Sequence, residues 1–254
     1  MEFKTYRAYY DFKNHVLRNF RYVFDESTKQ FLEAILNTSH SRKRIISLGS
    51  TLWRAQGGHS WETISQDSDP LPAPHDEDRM SPLVGEAREG RANPKGIPCL
   101  YLATDKETAM AEVRPTLGSM ISVGQFRILR ELELVDCSVG HDSELSIYFE
   151  EPDAPEREKA VWNEIDRAFS EPITSGDSLA DYAPTQILSE LFKKEGYDGI
   201  IYKSNLGSGY NVSLFNMSDA EITDRFLFNV KSIRYDFDKW ESPFAMDKDC
   251  GSEI

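Results

Sequence analysis

Apolar positions recur at helical spacing in the first part of the chain. From residue 10 to 48, Val16, Phe20 and Val23 follow one another at intervals of three or four and form one stripe. Ser27–Gln30 resembles a capping box, which predicts a second helix after it. We therefore expect residues 1–48 to be a helical extension that packs on a larger body, because each apolar stripe needs a cover.

The pattern is lost over residues 55–97. The stretch 67–78 is acidic, rich in proline and without periodicity. Segments of this kind inside a domain are commonly binding loops, lids or disordered insertions. We expect a long loop or insertion here, and the sequence leaves open whether it is ordered.

Short β-like runs and helical patterns alternate from residue 98 onward. The α+β class follows from this alternation, with a main domain over 49–240 and a flexible tail over 241–254. The predicted strands are 99–103, 121–129, 132–135, 197–202, 212–215 and a last one over 230–237. The predicted helices begin near Thr104, after Asp153 and at Pro184, with Gly196 ending the third.

Composition argues against a nucleic-acid-binding protein and against a membrane protein. The formal net charge is −14, from 29 Lys and Arg against 43 Asp and Glu. Such an acidic chain lacks the basic surface that binds a phosphate backbone, so we expect no direct nucleic-acid partner. An apolar run long enough for a membrane span is missing, and residues 1–7 lack the apolar core of a signal peptide. We expect a cytoplasmic protein that does not enter the membrane.

Cysteine and histidine usage argues against a disulfide-stabilised protein and against a zinc protein. Cys99, Cys137 and Cys250 form no CxxC pair, which fits a reducing compartment. The five histidines show no metal-ligand spacing, so we expect no metal site.

Two arginines stand in unusual sequence contexts. Arg91 belongs to the Gly90–Gly96 turn, whose exposed backbone N–H groups are suited to an anion. The simpler interpretation is a surface arginine on a tight turn. Arg54 ends the apolar run Leu52–Trp53, which indicates either an interior site or a side chain that extends to solvent.

A carboxylate and two serines complete the candidate chemistry. Glu112 lies late in a predicted helix, where a solvated role is the usual one. Ser204 and Ser208 follow a predicted buried strand, and spacing alone does not rank them. The chain has no GxSxG motif, which argues against a serine hydrolase.

Taken in order, these segments resemble the RES domain family over roughly residues 50–217. The resemblance rests on Leu52–Arg54, on Gly90–Ala103, on Ala109–Val113 and on the pair Gly199–Ser204 and Tyr210–Phe215. The family is named for an arginine, a glutamate and a serine. In this sequence they fall on Arg54 or Arg91, on Glu112 and on Ser204.

The resemblance implies an ADP-ribosyltransferase-like fold with a mixed or antiparallel sheet, acting on NAD⁺. It implies an enzyme that cleaves the nicotinamide–ribose bond, either an NAD⁺ phosphorylase or an NAD⁺ glycohydrolase. NAD⁺ is then a substrate rather than a cofactor, and inorganic phosphate is a candidate co-substrate. Family members are commonly toxins paired with an Xre-like antitoxin. Two alternatives remain: ADP-ribosyl transfer to a protein, and an inert RES-like binding module.

The resemblance also implies residue roles. Glu112 would stabilise positive charge on the ribose, and Arg54 and Arg91 would bind the pyrophosphate or a second anion. Tyr101 would stack on nicotinamide, and Ser204 would hydrogen-bond the ribose or a phosphate.

Three further positions qualify this assignment. Asn93, in the turn of Arg91, is expected to contribute to ligand binding, and Arg79 is a rival for either arginine role. Ala92 stands where many relatives have an aromatic residue. The front helices and the 60–89 segment are outside the compact family pattern, so they would either cover the site or mark a separate branch.

Overall fold

The computed structural model describes residues 2–65, 68–83, 85–141, 148–171, 179–234, 236 and 237. The predicted tail over 241–254 lies outside these residues. The helices are α1 (Ala8–Arg18), α2 (Glu26–Ser39), α3 (Glu77–Met80), α4 (Lys106–Glu112), α5 (Ala154–Ser170) and α6 (Ala183–Glu195). Short 3₁₀ turns span His40–Arg42, Leu179–Tyr182 and Met217–Asp219.

The strands of the described residues form one large sheet and one hairpin. They are β1 (Lys43–Ile46), β2 (Thr51–Gly57), β3 (Ser60–Glu62), β4 (Leu71–Ala73), β5 (Leu100–Ala103), β6 (Met120–Ile128), β7 (Leu132–Asp136), β8 (Gly199–Lys203), β9 (Tyr210–Leu214) and β10 (Ala220–Asn229). The large sheet has the order β1-β7-β8-β9-β5-β2-β6-β10, and β3 pairs with β4.

The large sheet is mixed, since β7 and β8 run parallel and the other neighbours run antiparallel. The predicted α+β class is confirmed, and the sheet is compatible with the expected ADP-ribosyltransferase-like core. One core cluster joins Leu134 of β7 to Phe126 of β6, although these strands are far apart in the sheet order. Only residues 129–131 connect β6 to β7, which are five places apart in this order, so the sheet must curve to bring their ends together.

The other core cluster lies between the sheet and the helices. Trp162 and Ile165 of α5 and Phe192 of α6 pack with Ile200 of β8 in this cluster. Helix α6 ends at Gly196, whose φ of 99° is left-handed, as the sequence predicts. These helices cover one face of the sheet, and the end of α5 lines part of the site described below.

Helices α1 and α2 extend this helical layer. The rings of Phe12 and Phe31 stack at 4.7 Å in the core cluster shared with α5 and α6. The indole of Trp162 donates a hydrogen bond to the Thr38 hydroxyl (3.0 Å). The front segment thus packs on a larger body, which its apolar stripe predicts. Among the described residues, every helix is too short or too polar to cross a membrane.

Several element boundaries differ from the predictions. Helix α1 ends at Arg18, so Phe20 and Val23 are exposed, and residues 43–46 form β1 rather than helix. Asp25 caps α2 by accepting from the Thr28 N–H (2.8 Å), so the predicted capping box at Ser27 is wrong. The position before the first acidic residue of the helix has the extended backbone that a cap requires.

Two larger segments also differ. Residues 55–97 contain the end of β2, the β3–β4 hairpin and α3, so this segment is not one uninterrupted loop. The final strand is β10 at Ala220–Asn229, and residues 230–234 lie outside any strand. Strands β3 and β4 pair with each other outside the large sheet, and β10 lies at the edge of the large sheet.

Candidate active site

Two neighbouring cavities open where α4 meets strands β2, β5, β8 and β9. The first, here called the Arg54 cavity, has a volume of about 250 Å³ and is lined by Trp53, Arg54 and Tyr101 among others. The second, the Arg91 cavity, has about 380 Å³ and is lined by residues that include Arg91 and Tyr182. Glu112, Tyr202 and Asn211 line both cavities and form the wall between them.

Glu112 is the last residue of α4, and its carboxylate is held on one side. Its Oε1 accepts hydrogen bonds from the Ser204 hydroxyl (2.6 Å) and from the Asn211 side-chain amide (2.7 Å). Both bonds use the same oxygen, and the residue is exposed. Oε2 is therefore available to a ligand while the carboxylate is fixed in place.

The Ser204 hydroxyl is fully engaged in this arrangement. It donates to Glu112 and accepts from the backbone N–H groups of Leu206 (3.1 Å) and Gly207 (3.0 Å). A hydroxyl has one donor and two acceptor positions, so its bonding capacity is used. Ser208 is exposed and offers its carbonyl to Lys203. The geometry thus separates the two serines, and Ser204 positions Glu112.

Glycines allow the loop after Ser204 to pack against the start of α4. The Gly209 N–H donates to the Thr108 hydroxyl (2.9 Å), and Asp105 caps the helix by accepting from the Thr108 N–H (2.7 Å). A Cβ on Gly209 would lie 1.8 Å from Asp105 Oδ2. This close packing fixes the Ser204 loop and the Glu112 helix relative to each other.

The guanidinium of Arg54 is hydrogen-bonded at only part of its donor positions. Its Nη1 donates to the Tyr101 carbonyl (3.0 Å), whereas its Nε is buried without a hydrogen-bond partner among the described residues. Burial lowers the pKa of Arg54 to about 10, so the guanidinium stays charged at neutral pH. A buried guanidinium N–H that lacks a partner favours an anionic ligand.

Tyr101 and Asn93 organise the turn that carries Arg91. The Tyr101 hydroxyl donates to Asn93 Oδ1 (2.7 Å) and accepts from the Ala92 N–H (3.0 Å). The Asn93 amide nitrogen donates to three carbonyls of the same turn, and the residue is buried. Burial raises the pKa of Tyr101 well above its ordinary range, so the phenol stays protonated.

Gly90 is required beside this hydroxyl, because a Cβ there would lie 2.5 Å from the Tyr101 oxygen. Arg91 follows it, donates through Nη1 to the Ala168 carbonyl and lies over the Tyr182 ring, 5.4 Å from its centroid. Asn93 thus supports the turn and does not line either cavity. Arg79 is exposed at the end of α3 and also lies outside both.

Two residues of the shared wall were not singled out by the sequence. Tyr202 and Asn211 are buried cross-strand partners in β8 and β9. Burial, and next the charge of Glu112, raise the pKa of Tyr202, so its hydroxyl remains a donor. A buried asparagine within the apolar pattern of β9 was the available signal, since buried amides need partners.

Arg114 was also missed. It lines the Arg91 cavity with a φ of 47°, which is rare for a residue other than glycine. In the part of the chain that the structure describes, no group of three or more His, Cys, Asp or Glu side chains is arranged to hold a metal ion.

The chain belongs to the RES domain family, whose model matches residues 51–238. This confirms the family resemblance of the sequence. Among solved structures, the chain is similar to one in the crystal structure of the M. tuberculosis MbcT–MbcA toxin–antitoxin complex, with 16% identity and a TM-score of 0.43. That likeness covers 76% of this chain and 91% of the other. No curated protein matches the sequence.

Proposed function

We propose that this protein degrades NAD⁺ by breaking the bond between nicotinamide and ribose. The observation that carries the proposal is the Glu112 carboxylate, fixed through Oε1 and available through Oε2 at the wall between two cavities. Membership of the RES family supports it, because the family resemblance implies this substrate.

The carboxylate suits the chemistry of the bond. Loss of nicotinamide leaves positive charge on the ribose ring, in an oxocarbenium-like transition state. A negative group beside the ribose stabilises that charge, and it does so best when it is already oriented. Ser204 and Asn211 supply the orientation here. Glu112 is therefore the residue that we assign to the reacting centre.

Cationic groups on either side of Glu112 suit the pyrophosphate of NAD⁺. Arg54 lines one cavity, and Arg91 lines the other. The volumes of about 250 and 380 Å³ are close to the range of small-molecule pockets, roughly 300–1,000 Å³. We place Tyr101 beside the nicotinamide ring, because Tyr101 lines the Arg54 cavity.

We further propose a toxin-type or defence role with an Xre-like antitoxin as partner. None of the described residues of α1 and α2 lines either cavity, so these helices leave the candidate site uncovered. Inhibition in the cell would then need a separate protein. Family membership supports this role, and the acidic surface favours a partner that presents basic groups.

Incubation of the purified protein with NAD⁺, with and without inorganic phosphate, identifies the reaction. We expect nicotinamide as one product, measured by chromatography. Free ADP-ribose in both conditions would define a glycohydrolase, and phosphorylated ADP-ribose formed only with phosphate would define a phosphorylase. Intact NAD⁺ in every sample would contradict the proposal.

A further inference from the structure

A third cavity adjoins the site, and its lining is entirely polar. It has a volume of about 250 Å³ and is lined by residues that include His141, Asn163, Arg167 and Asn205. It shares Ser170 and Glu171 with the Arg91 cavity, so the two lie side by side at the end of α5. We call it the His141 cavity.

His141 is held in this cavity by a buried carboxylate. Its Nδ1 lies 2.5 Å from Asp166 Oδ2, and Asp166 Oδ1 accepts from the Ser170 hydroxyl (3.3 Å). The Asp166 side chain is 4% exposed, and that of His141 is 26% exposed. Because a carboxylate accepts, Nδ1 carries the proton, and the neutral imidazole has its lone pair on Nε2.

The backbone around His141 fixes the ring as well. A turn leads from β7 to His141, whose N–H donates to the Ser138 carbonyl (2.9 Å). Asp136 accepts from the Ser138 N–H (2.9 Å), and Gly140 has a φ of 91°. The turn and the carboxylate together orient the ring, whose side chain is 26% exposed, and Nε2 is the nitrogen that serves as the proton acceptor.

We propose that the His141 cavity admits the acceptor of the ADP-ribosyl group and that His141 takes the acceptor's proton. This inference rests on the proposed function. The acceptor is a neutral hydroxyl, water in the simplest case, because a general base acts on a group that has a proton to give.

The transfer breaks one bond at C1′ and forms another. The C1′–N bond to nicotinamide breaks, and its electron pair returns to the pyridine ring, which leaves as neutral nicotinamide. A bond forms between C1′ and the acceptor oxygen, and the proton of that oxygen passes to His141 Nε2. Asp166 stabilises the imidazolium, which then releases the proton to solvent. Burial raises the pKa of Asp166, so this carboxylate gains from a cationic neighbour.

The charged groups around His141 come from three elements. Helix α5 contributes Asp166, Arg167 and Glu171, the end of β7 contributes Asp136, and the turn before β1 contributes Arg42, which bonds to the Val139 carbonyl.

His141→Asn is the variant that tests the proposal, because an asparagine amide can still donate to Asp166 in place of Nδ1 but offers no base in place of Nε2. In phosphate-free buffer we expect wild type to form ADP-ribose at a rate that falls in acid, because a base that is already protonated accepts no further proton. H141N should turn over NAD⁺ at least about tenfold more slowly, with a flat profile and an unchanged Kd for NAD⁺.

The matched control is His15→Gln. His15 also lies beside a carboxylate, Asp25 (3.7 Å), but lines a different cavity between α1 and α2. H15Q should keep the rate and the pH profile of wild type. If H141N lowers the melting temperature, Asp166→Asn carries the test, since it removes the orienting charge and should slow turnover as well.

Three results would overturn the proposal. One is an H141N variant as fast as wild type, and another is a slower variant that keeps the wild-type pH profile, which would indicate a structural role. The third is wild-type turnover that requires phosphate, which would identify an anionic acceptor instead while leaving NAD⁺ cleavage standing. If wild type releases no nicotinamide under any condition, the proposed function itself fails and this inference fails with it.

Discussion

At the scale of single residues, three polar side chains of the site are each held by a hydrogen bond through one of their atoms. Glu112 is held through one oxygen, Arg54 is bonded through Nη1 but not through Nε, and His141 is held through one ring nitrogen. In Glu112 and His141 the bonded atom fixes the side chain and another atom remains for a ligand, whereas Arg54 lines its cavity with a partly bonded guanidinium. Orientation of this kind is what electrostatic catalysis requires.

Ser204→Ala should slow NAD⁺ cleavage without preventing NAD⁺ binding. The change removes a hydrogen bond to a charged carboxylate, which contributes roughly 1.5–3 kcal/mol. We expect kcat to fall about ten- to hundredfold, with Asn211 retaining part of the orientation of Glu112. Steady-state kinetics with nicotinamide release as the readout measure this.

Ser208→Ala is the matched control for Ser204→Ala, because Ser208 belongs to the same loop but is exposed and uses its backbone carbonyl for bonding. Its kinetics should equal those of wild type. A large loss in the Ser208 variant with no loss in the Ser204 variant would show that the wrong serine has been assigned.

At the scale of elements, the site depends on how the loop between β8 and β9 meets the first turn of α4. The N–H of Gly209 and the carboxylate of Asp105 meet at Thr108, and the glycine leaves just enough room. This contact holds the Ser204 loop against the helix that ends in Glu112. A shift at this contact would move Ser204 away from the Glu112 carboxylate.

Gly209→Ala should lower the free energy of unfolding by about 1–3 kcal/mol, as for other overpacked positions. The new methyl group would meet the Asp105 carboxylate and the Thr104 hydroxyl. Gly57→Ala is the control, because a Cβ at Gly57 has open space around it and should change stability by less than about 0.5 kcal/mol. Urea denaturation of both variants measures the difference, and equal stabilities would contradict this packing.

The sequence predicts the elements whose ends carry strong local signals. Strands β5, β6, β7, β8 and β9 lie within a residue or two of their predictions, because each is a run of buried apolar residues. The end of α6 at Gly196 was equally clear. Strands β1, β3, β4 and β10 were missed, since their patterns are short or alternate with charges, and pairing partners far along the chain decide them.

The same limit holds for the candidate site. Local motifs drew attention to Glu112, Arg54 and Ser204 one at a time, but their contacts bridge up to about a hundred positions in sequence, as from Asn211 to Glu112. Asn93 was expected to meet a ligand, yet its side-chain bonds all go to neighbouring residues 88–97 and to Tyr101. Sequence spacing does not reveal which polar groups are already satisfied.

At the scale of the whole molecule, an acidic protein is proposed to take an anionic substrate. The net charge of −14 opposes the approach of NAD⁺ at long range. Arg54, Arg91 and Arg114 therefore matter as a local cluster on both sides of Glu112. None of the described residues of α1 and α2 lines these cavities, so the helical layer does not add to this cationic cluster.

Nicotinamide release from NAD⁺ by wild type and by Glu112→Gln tests the central claim most directly. The proposal predicts release by wild type and a loss of at least about a hundredfold in the variant, whose amide keeps the shape of the side chain but not its charge. Glu107→Gln, an exposed glutamate of the same helix, should behave as wild type. A folded wild-type protein that leaves NAD⁺ intact, or a Glu112→Gln variant as active as wild type, would contradict the account.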